Sequence, residues 1–291
     1  MIANKKFLKQ SLEFWANVKL ISQKIGYTKK GVVKIPEIEE IIDCYKSLDL
    51  DYTRIYHNDN LTKEGQLLLD YFKFRASFLN DEVKENLMDV KEARALYEKL
   101  SKKFKPKCPI PLNKQKGDKS GPAYFTAIIN ILIEANSKGH DCDYDPRELS
   151  SFTKDKFPVR SLSRRVDGAF PKVVNPIALW EIKEYYYTTT FGSRIADGVY
   201  ETLLDGFELA EAREYLDIPI HHYLMVDAYN TWWNMGKPYL CRICDILHMG
   251  FLTEVLFGKE VVERIPILVK EWINQYNDGE EDKKVKIIRE A

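Results

Sequence analysis

Through residue 104, apolar positions recur mostly at helical spacing. Phe7, Leu12, Phe14, Trp15, Val18, Leu20 and Ile21 form one stripe, and Ile38, Ile41, Ile42 and Tyr45 form another after Pro36. Between them, residues 21–30 read as a helix, a turn at Gly26 and a basic second helix carrying Lys29 and Lys30, compatible with a helix-turn-helix DNA reader. Further helical stretches cover residues 62–78 and 83–104, the latter rich in Glu, Lys, Ala and Leu. The pattern changes from residue 120. Pro122 can open a helix with Tyr124, Ile128, Ile131 and Leu132 on one buried face and Glu134 near its C-terminal end. After an Asp-rich loop at 140–146 come a strand-like segment at 161–170 and a strongly apolar strand at 177–183 that continues into Tyr185, Tyr186 and Tyr187. Gly192 breaks the chain before a long helix at 193–215, and a strand at 221–229 precedes helices at 239–247 and 261–276, with a charged tail after Asn277 expected to fray. This order predicts an α/β (α+β) layout: a central sheet flanked by helices, behind a mostly helical N-terminal region.

Composition narrows the picture. The 291 residues are 45% hydrophobic and 12% aromatic, too apolar for a chain disordered throughout. No apolar run approaches the roughly 20 residues that span a bilayer, and the N-terminus lacks a secretory h-region, so no membrane association and a cytoplasmic location are expected. The five cysteines, an odd number, are expected as reduced thiols. A formal net charge of zero hides an asymmetry: residues 1–120 hold 24 Lys+Arg against 17 Asp+Glu (net +7), leaving 20 against 27 (net −7) in residues 121–291. That split is compatible with a nucleic-acid-facing region joined to a carboxylate-rich catalytic one, as well as with ordinary variation between domains. Residues 99–119 carry eight lysines and the single acid Asp118, interrupted by Pro106, Pro109 and Pro111. They read as a solvated linker, or alternatively as a strap contacting phosphate, which places a helical recognition and dimerisation region at 1–115 and a catalytic domain at 116–291.

Candidate chemistry concentrates in the second region. Asp167 precedes Gly168 near the end of the first strand, and Glu181 and Lys183 stand two apart on the next, so their side chains share a sheet face while Ile182 points to the other. Paired as a hairpin, these strands would gather two carboxylates and an ammonium at one sheet end. Phosphodiester hydrolysis needs that set: hard oxygen ligands for a divalent cation, with positions left for water and phosphate, and a positive group near the attacking water.

Asp167-Gly168, a spacer and then Glu181-Ile182-Lys183 on an apolar strand, with a helix before and a long helix and strand after, resembles the PD-(D/E)XK nucleases, the restriction-endonuclease-like superfamily. The resemblance covers roughly residues 120–230. It implies a restriction-endonuclease-like central mixed sheet, Mg²⁺ (with Mn²⁺ able to substitute) on Asp167 and Glu181, a catalytic Lys183, and an assisting carboxylate on the preceding helix, for which Glu134 is the candidate. Val166 stands where the family usually has proline, and no Gln-x-x-x-Tyr follows, which argues against the recombination-type exonuclease branch. The implied activity is that of a type II restriction enzyme: a site-specific endonuclease on double-stranded DNA, acting as a homodimer and leaving 5′-phosphate and 3′-hydroxyl ends. Arg164, Arg165, Tyr185, Thr189 and Arg194 flank the motif and are expected to contact DNA, as are Lys29 and Lys30. Two alternatives stand beside it: a repair or phage-defence nuclease on non-standard substrates, and a non-catalytic helix-turn-helix DNA-binding protein. Cys241-x-x-Cys244 lies within an apolar helical pattern and reads as buried thiols rather than a zinc site. No Gly-rich phosphate loop is present.

Overall fold

The structure, a computed structural model, describes residues 1–115 and 121–290. The chain begins with α1 (Leu12–Ile25), a hairpin of β1 (Thr28–Lys29) and β2 (Val32–Val33), α2 (Ile38–Ser47), a second hairpin of β3 (Tyr56–His57) and β4 (Asn60–Leu61), and α3 (Lys63–Ser77). A wide π-helical turn, Phe78–Val83, runs into the short α4 (Lys84–Asn86), and α5 (Val90–Phe104) follows. Then come α6 (Tyr124–Asn136), β5 (Asp143–Tyr144), the hairpin β6 (Ser151–Lys154) and β7 (Phe157–Ser161), β8 (Gly168–Phe170) and β9 (Ala178–Glu184). The chain closes through α7 (Ser193–Leu216), β10 (His221–Asp227), α8 (Lys237–His248), β11 (Glu254–Phe257) and α9 (Val261–Glu290).

Local chemistry accounts for the boundaries. The Ser11 hydroxyl caps α1 by accepting from the Phe14 N–H, and Gly26 ends the helix at φ +92°. Lys30 (φ 50°) and Gly31 (φ 82°) then form a two-residue turn between β1 and β2, the geometry a tight hairpin requires. The expected helix-turn-helix is therefore absent at residues 21–33, and Lys29 and Lys30 are exposed on a hairpin instead of a recognition helix. Asp89 and Glu92 form a capping box at the start of α5.

The central sheet has five strands in the order β11-β10-β9-β8-β5. β9, β10 and β11 are parallel, joined by crossovers through α7 and α8, whereas β8 and β5 are antiparallel additions. Alternation along β9 sorts its side chains by face. Ala178, Trp180 and Ile182 enter the core beneath α5, α6 and α9, where Trp180 stacks on Trp272 at 5.6 Å and 8°. Leu179 packs on the opposite face with Leu209 and Ala212 of α7. Gly168 is obligatory on β8, because a Cβ there would overlap the Trp180 indole.

Two readings change. The stretch 161–170 is not one strand: residues 162–167 leave the ladder between β7 and β8, and that loop presents Arg164, Arg165 and Asp167. The lysine- and proline-rich segment, through residue 115, is no free linker. Cys108 is buried in the core with α5 and α6, the Pro109 carbonyl accepts from Asn130, and the Pro111 carbonyl accepts from the Ala123 N–H. Lys116, Asp118 and Lys119 lie outside the described residues. α5 thus packs with the sheet core, whereas the sequence pattern groups it with the N-terminal helices. The N-terminal helices have their own core around Phe14, Trp15, Ile41 and Phe72. Among the described residues, no helix is long and apolar enough to cross a membrane.

Candidate functional site

Asp167 immediately precedes β8, where Gly168 pairs with Trp180, and its N–H donates to the Trp180 carbonyl at 3.1 Å. Asp167 therefore lies across from Glu181, and its Oδ2 accepts the Ile182 N–H at 2.7 Å. Glu181 is fully buried on the α7 face of β9, and Lys183 Nζ donates to its Oε2 at 2.9 Å. Gly198 of α7 gives Lys183 its room: a Cβ there would stand 3.2 Å from Lys183 Cε. From the 162–167 loop, Arg164 reaches the same carboxylate, with Nη2 3.0 Å from Oε2 and Nη1 3.0 Å from Oε1, the latter a charge contact without hydrogen-bond geometry. Arg164 Nη1 also meets Asp205 Oδ2 at 2.6 Å, and α7 adds Glu201 at 3.6 Å from Lys183 Nζ.

Charge and burial oppose one another here. Burial by itself would raise the Glu181 carboxyl, but Lys183 and Arg164 overcome it and hold the group below its ordinary value. At Asp167 and Asp205 the same two cations offset burial only in part, and burial with the neighbouring Glu181 charge pushes each up to about 7. Burial disfavours the Lys183 ammonium, yet Glu181 and Asp167 reverse this and raise its pKa, so it stays protonated at neutral pH.

Above this cluster lies a groove of about 930 Å³, lined by Asp167, Lys183, Tyr185 and Arg194 with Thr188 and Thr190 on one side and Lys114, Gln115 and Thr126 among the others. A smaller hollow of about 510 Å³ beside it is lined by Arg147, Ser163 and Arg165, and Arg164 and Asp167 line both. The structure thus brings Asp167, Glu181, Lys183 and Arg164 together and sets Tyr185, Arg194 and Arg165 around them. Thr189 is exposed but does not line the groove, and Lys29 and Lys30 lie on the β1–β2 hairpin. Arg164, expected to contact DNA, is committed to carboxylates.

Glu134 does not join the site. Its carboxylate accepts the Lys107 N–H at 2.9 Å and lies next to Cys108, whereas the part of α6 that faces the sheet end is Thr126, two helical turns earlier. The residue that meets α6 there is Glu184, whose Oε2 accepts from the Thr126 N–H and hydroxyl, each at 3.0 Å. Asp205, Glu184 and Arg147 escaped sequence reasoning. For Asp205 a signal existed: Glu201, Asp205 and Glu208 recur at i, i+4 and i+7 on one face of α7.

Mg²⁺ or Mn²⁺ suits this donor set. Asp167 and Glu181 offer hard oxygens, and Asp205 Oδ1 is buried without a hydrogen-bond partner. Among the described residues no group of three or more His, Cys, Asp or Glu side chains is gathered closely enough to hold a metal ion. Cys241 and Cys244 are buried in α8, as expected of structural thiols.

A second buried carboxylate, Asp227 at the end of β10, ties the sheet to the segment before α5. Its Oδ1 accepts from the Met88 and Ala228 N–H groups and its Oδ2 from the Tyr186 hydroxyl. Burial pushes it up to about 8, and Glu184 up to about 7. Because the folded state binds these protons more tightly than the unfolded chain, whose carboxyls titrate near 4, stability should fall as pH rises from about 4 to 8, by up to about 1.4 kcal/mol per pH unit for each proton. Asp227→Asn is predicted to make that decline shallower in urea titrations between pH 5 and 9. An unchanged slope would show that Asp227 is ionised throughout.

The chain belongs to the family described as Domain of unknown function (DUF7687), whose model matches residues 88–272. Residues 1–82 match a second model, Domain of unknown function (DUF7690). The two matches meet between residues 82 and 88, immediately before α5, in keeping with the packing of that helix on the sheet core. No curated protein and no solved structure matches the chain.

Proposed function

We propose that this protein is a Mg²⁺-dependent endonuclease of the PD-(D/E)XK type that hydrolyses duplex DNA in the manner of a type II restriction enzyme. The observation that carries the reading is the meeting of Asp167, Glu181 and Lys183 across the β8–β9 pair, beneath a groove bordered by arginine, lysine and hydroxyl side chains. The element order α6, β5, β8, β9, α7, β10, with β9 parallel to β10, supports a restriction-endonuclease-like core.

When bound by Asp167 and Glu181, the cation supplies positive charge to the phosphate and acidifies water. The chain's own residues do the rest. Glu181 keeps Lys183 protonated, so the ammonium acts as a hydrogen-bond donor that orients the attacking water and offsets charge at phosphorus, and not as a general base. The Ile182 N–H fixes Asp167 Oδ2 and so fixes the carboxylate plane. Tyr185, Arg194 and Arg165 would hold flanking phosphates, and in-line attack would leave 5′-phosphate and 3′-hydroxyl ends. Cutting both strands of a palindrome calls for a homodimer.

Incubation of the purified protein with unmethylated plasmid and phage DNA, with Mg²⁺ or with EDTA, separates the readings. Discrete Mg²⁺-dependent fragments are expected. A smear, or cleavage confined to damaged or branched DNA, would favour the repair or phage-defence alternative, and salt-sensitive binding without any cleavage would contradict the enzymatic reading.

A further inference from the structure

We propose that Arg164 is a displaceable cation that neutralises Glu181 until a divalent ion arrives and then yields Glu181 to it. This rests on the metal-dependent reading above and assigns Arg164 a positioning role toward the ion. Three observations carry it.

The first is geometry. Both Arg164 Nη atoms stand 3.0 Å from Glu181 oxygens, so the guanidinium occupies the carboxylate edge that a metal would use. The second is access. The Glu181 side chain is 0% exposed and lines neither hollow, whereas Arg164 is 24% exposed and lines both, so Arg164 can move toward solvent where Glu181 cannot. Asp205 at 2.6 Å and Glu201 at 3.4 Å give the guanidinium a second mooring on α7 once it leaves Glu181.

The third is charge balance. The carboxylates Asp167, Glu181, Glu201 and Asp205 outnumber the cations Arg164 and Lys183 around them, an acidic excess that a divalent ion would offset. Arginine cannot shed its proton to make way, so it and the ion repel and compete for one carboxylate.

The test is Mn²⁺ binding to the full-length chain, read by the electron paramagnetic resonance of free and bound Mn²⁺, with thermal melting alongside. Arg164→Gln should bind Mn²⁺ roughly tenfold or more tightly than wild type, because the competing charge is gone. It should also melt lower without metal and recover on Mn²⁺ addition. Arg164→Lys, which keeps the charge, should bind like wild type, and Arg164→Met serves as the neutral variant if the glutamine does not fold. Unchanged or weaker binding in the neutral variants, with wild-type binding intact, would overturn this proposal and leave the nuclease reading standing. No Mn²⁺ bound by any form would overturn both.

Discussion

Lys183→Ala is expected to lower the rate of Mg²⁺-dependent DNA cleavage roughly 10²–10³-fold, the loss typical of removing one group that stabilises developing charge in a water-excluded site. The fold should survive. Glu181 keeps Arg164 as a charge partner when the ammonium is gone, so no carboxylate is left buried and unpaired. The space opened lies against Gly198, and because Lys183 itself lines the groove, water can enter it. Single-turnover cleavage with the variant saturated by DNA isolates the chemical step, and matched circular dichroism spectra exclude unfolding. DNA binding should change little, because Lys183 is 9% exposed and offers the duplex little surface. A variant that cuts at the wild-type rate would remove Lys183 from the chemistry.

The largest stability effect is expected far from the groove. Arg75 of α3 is buried and donates through Nη1 to both oxygens of Asp245 on α8, at 3.0 and 3.1 Å, and through Nη2 to Ser22 of α1. The Tyr71 hydroxyl donates to the same Asp245 at 2.5 Å. These bonds fasten the N-terminal helices to the helix that covers the sheet. Arg75→Ala would leave the Asp245 carboxylate buried without its cation, at a cost of about 3–5 kcal/mol. Paired replacement of Arg75 and Asp245 by apolar residues of similar volume should cost much less, since the penalty lies in the orphaned charge. Urea unfolding of the single and double variants measures both. A loss below about 1 kcal/mol for Arg75→Ala would show that the clamp is solvated or dispensable.

Elements with a strong period were legible in the sequence, and pairings set by distant residues were not. Strand β9 and helix α7 follow from an apolar run and from a long amphipathic stretch behind Gly192. The shared face of Glu181 and Lys183 follows from the two-residue repeat of a strand. Glu134 illustrates what local pattern omits: its helix was anticipated, but which end of α6 meets the sheet depends on Glu184 capping the Thr126 end. The basic segment at residues 21–30 shows a rival local rule winning, because successive positive-φ residues Lys30 and Gly31 make a hairpin where the charge pattern suggested a helix. The lysine-rich strap had the composition of a linker, yet the carbonyls of Pro109 and Pro111 and the buried Cys108 bind it to α6 and its N-terminal lead. Arg164 had the charge of a phosphate ligand. Only the position of α7 against β9, which brings Asp205 beside Glu181, shows that its first partners are carboxylates.

We propose that Asp167 and Glu181 make this sheet end a metal-dependent phosphodiesterase. The most direct test is cleavage of unmethylated plasmid and phage DNA by wild type and Glu181→Gln, with Mg²⁺ and with EDTA. The substitution keeps side-chain shape while removing the charge. Discrete fragments are expected from wild type with Mg²⁺, none with EDTA, and a fall of at least about 10²-fold in Glu181→Gln. Uncut DNA from folded wild type under every condition, or equal cutting by wild type and Glu181→Gln, would contradict this proposal.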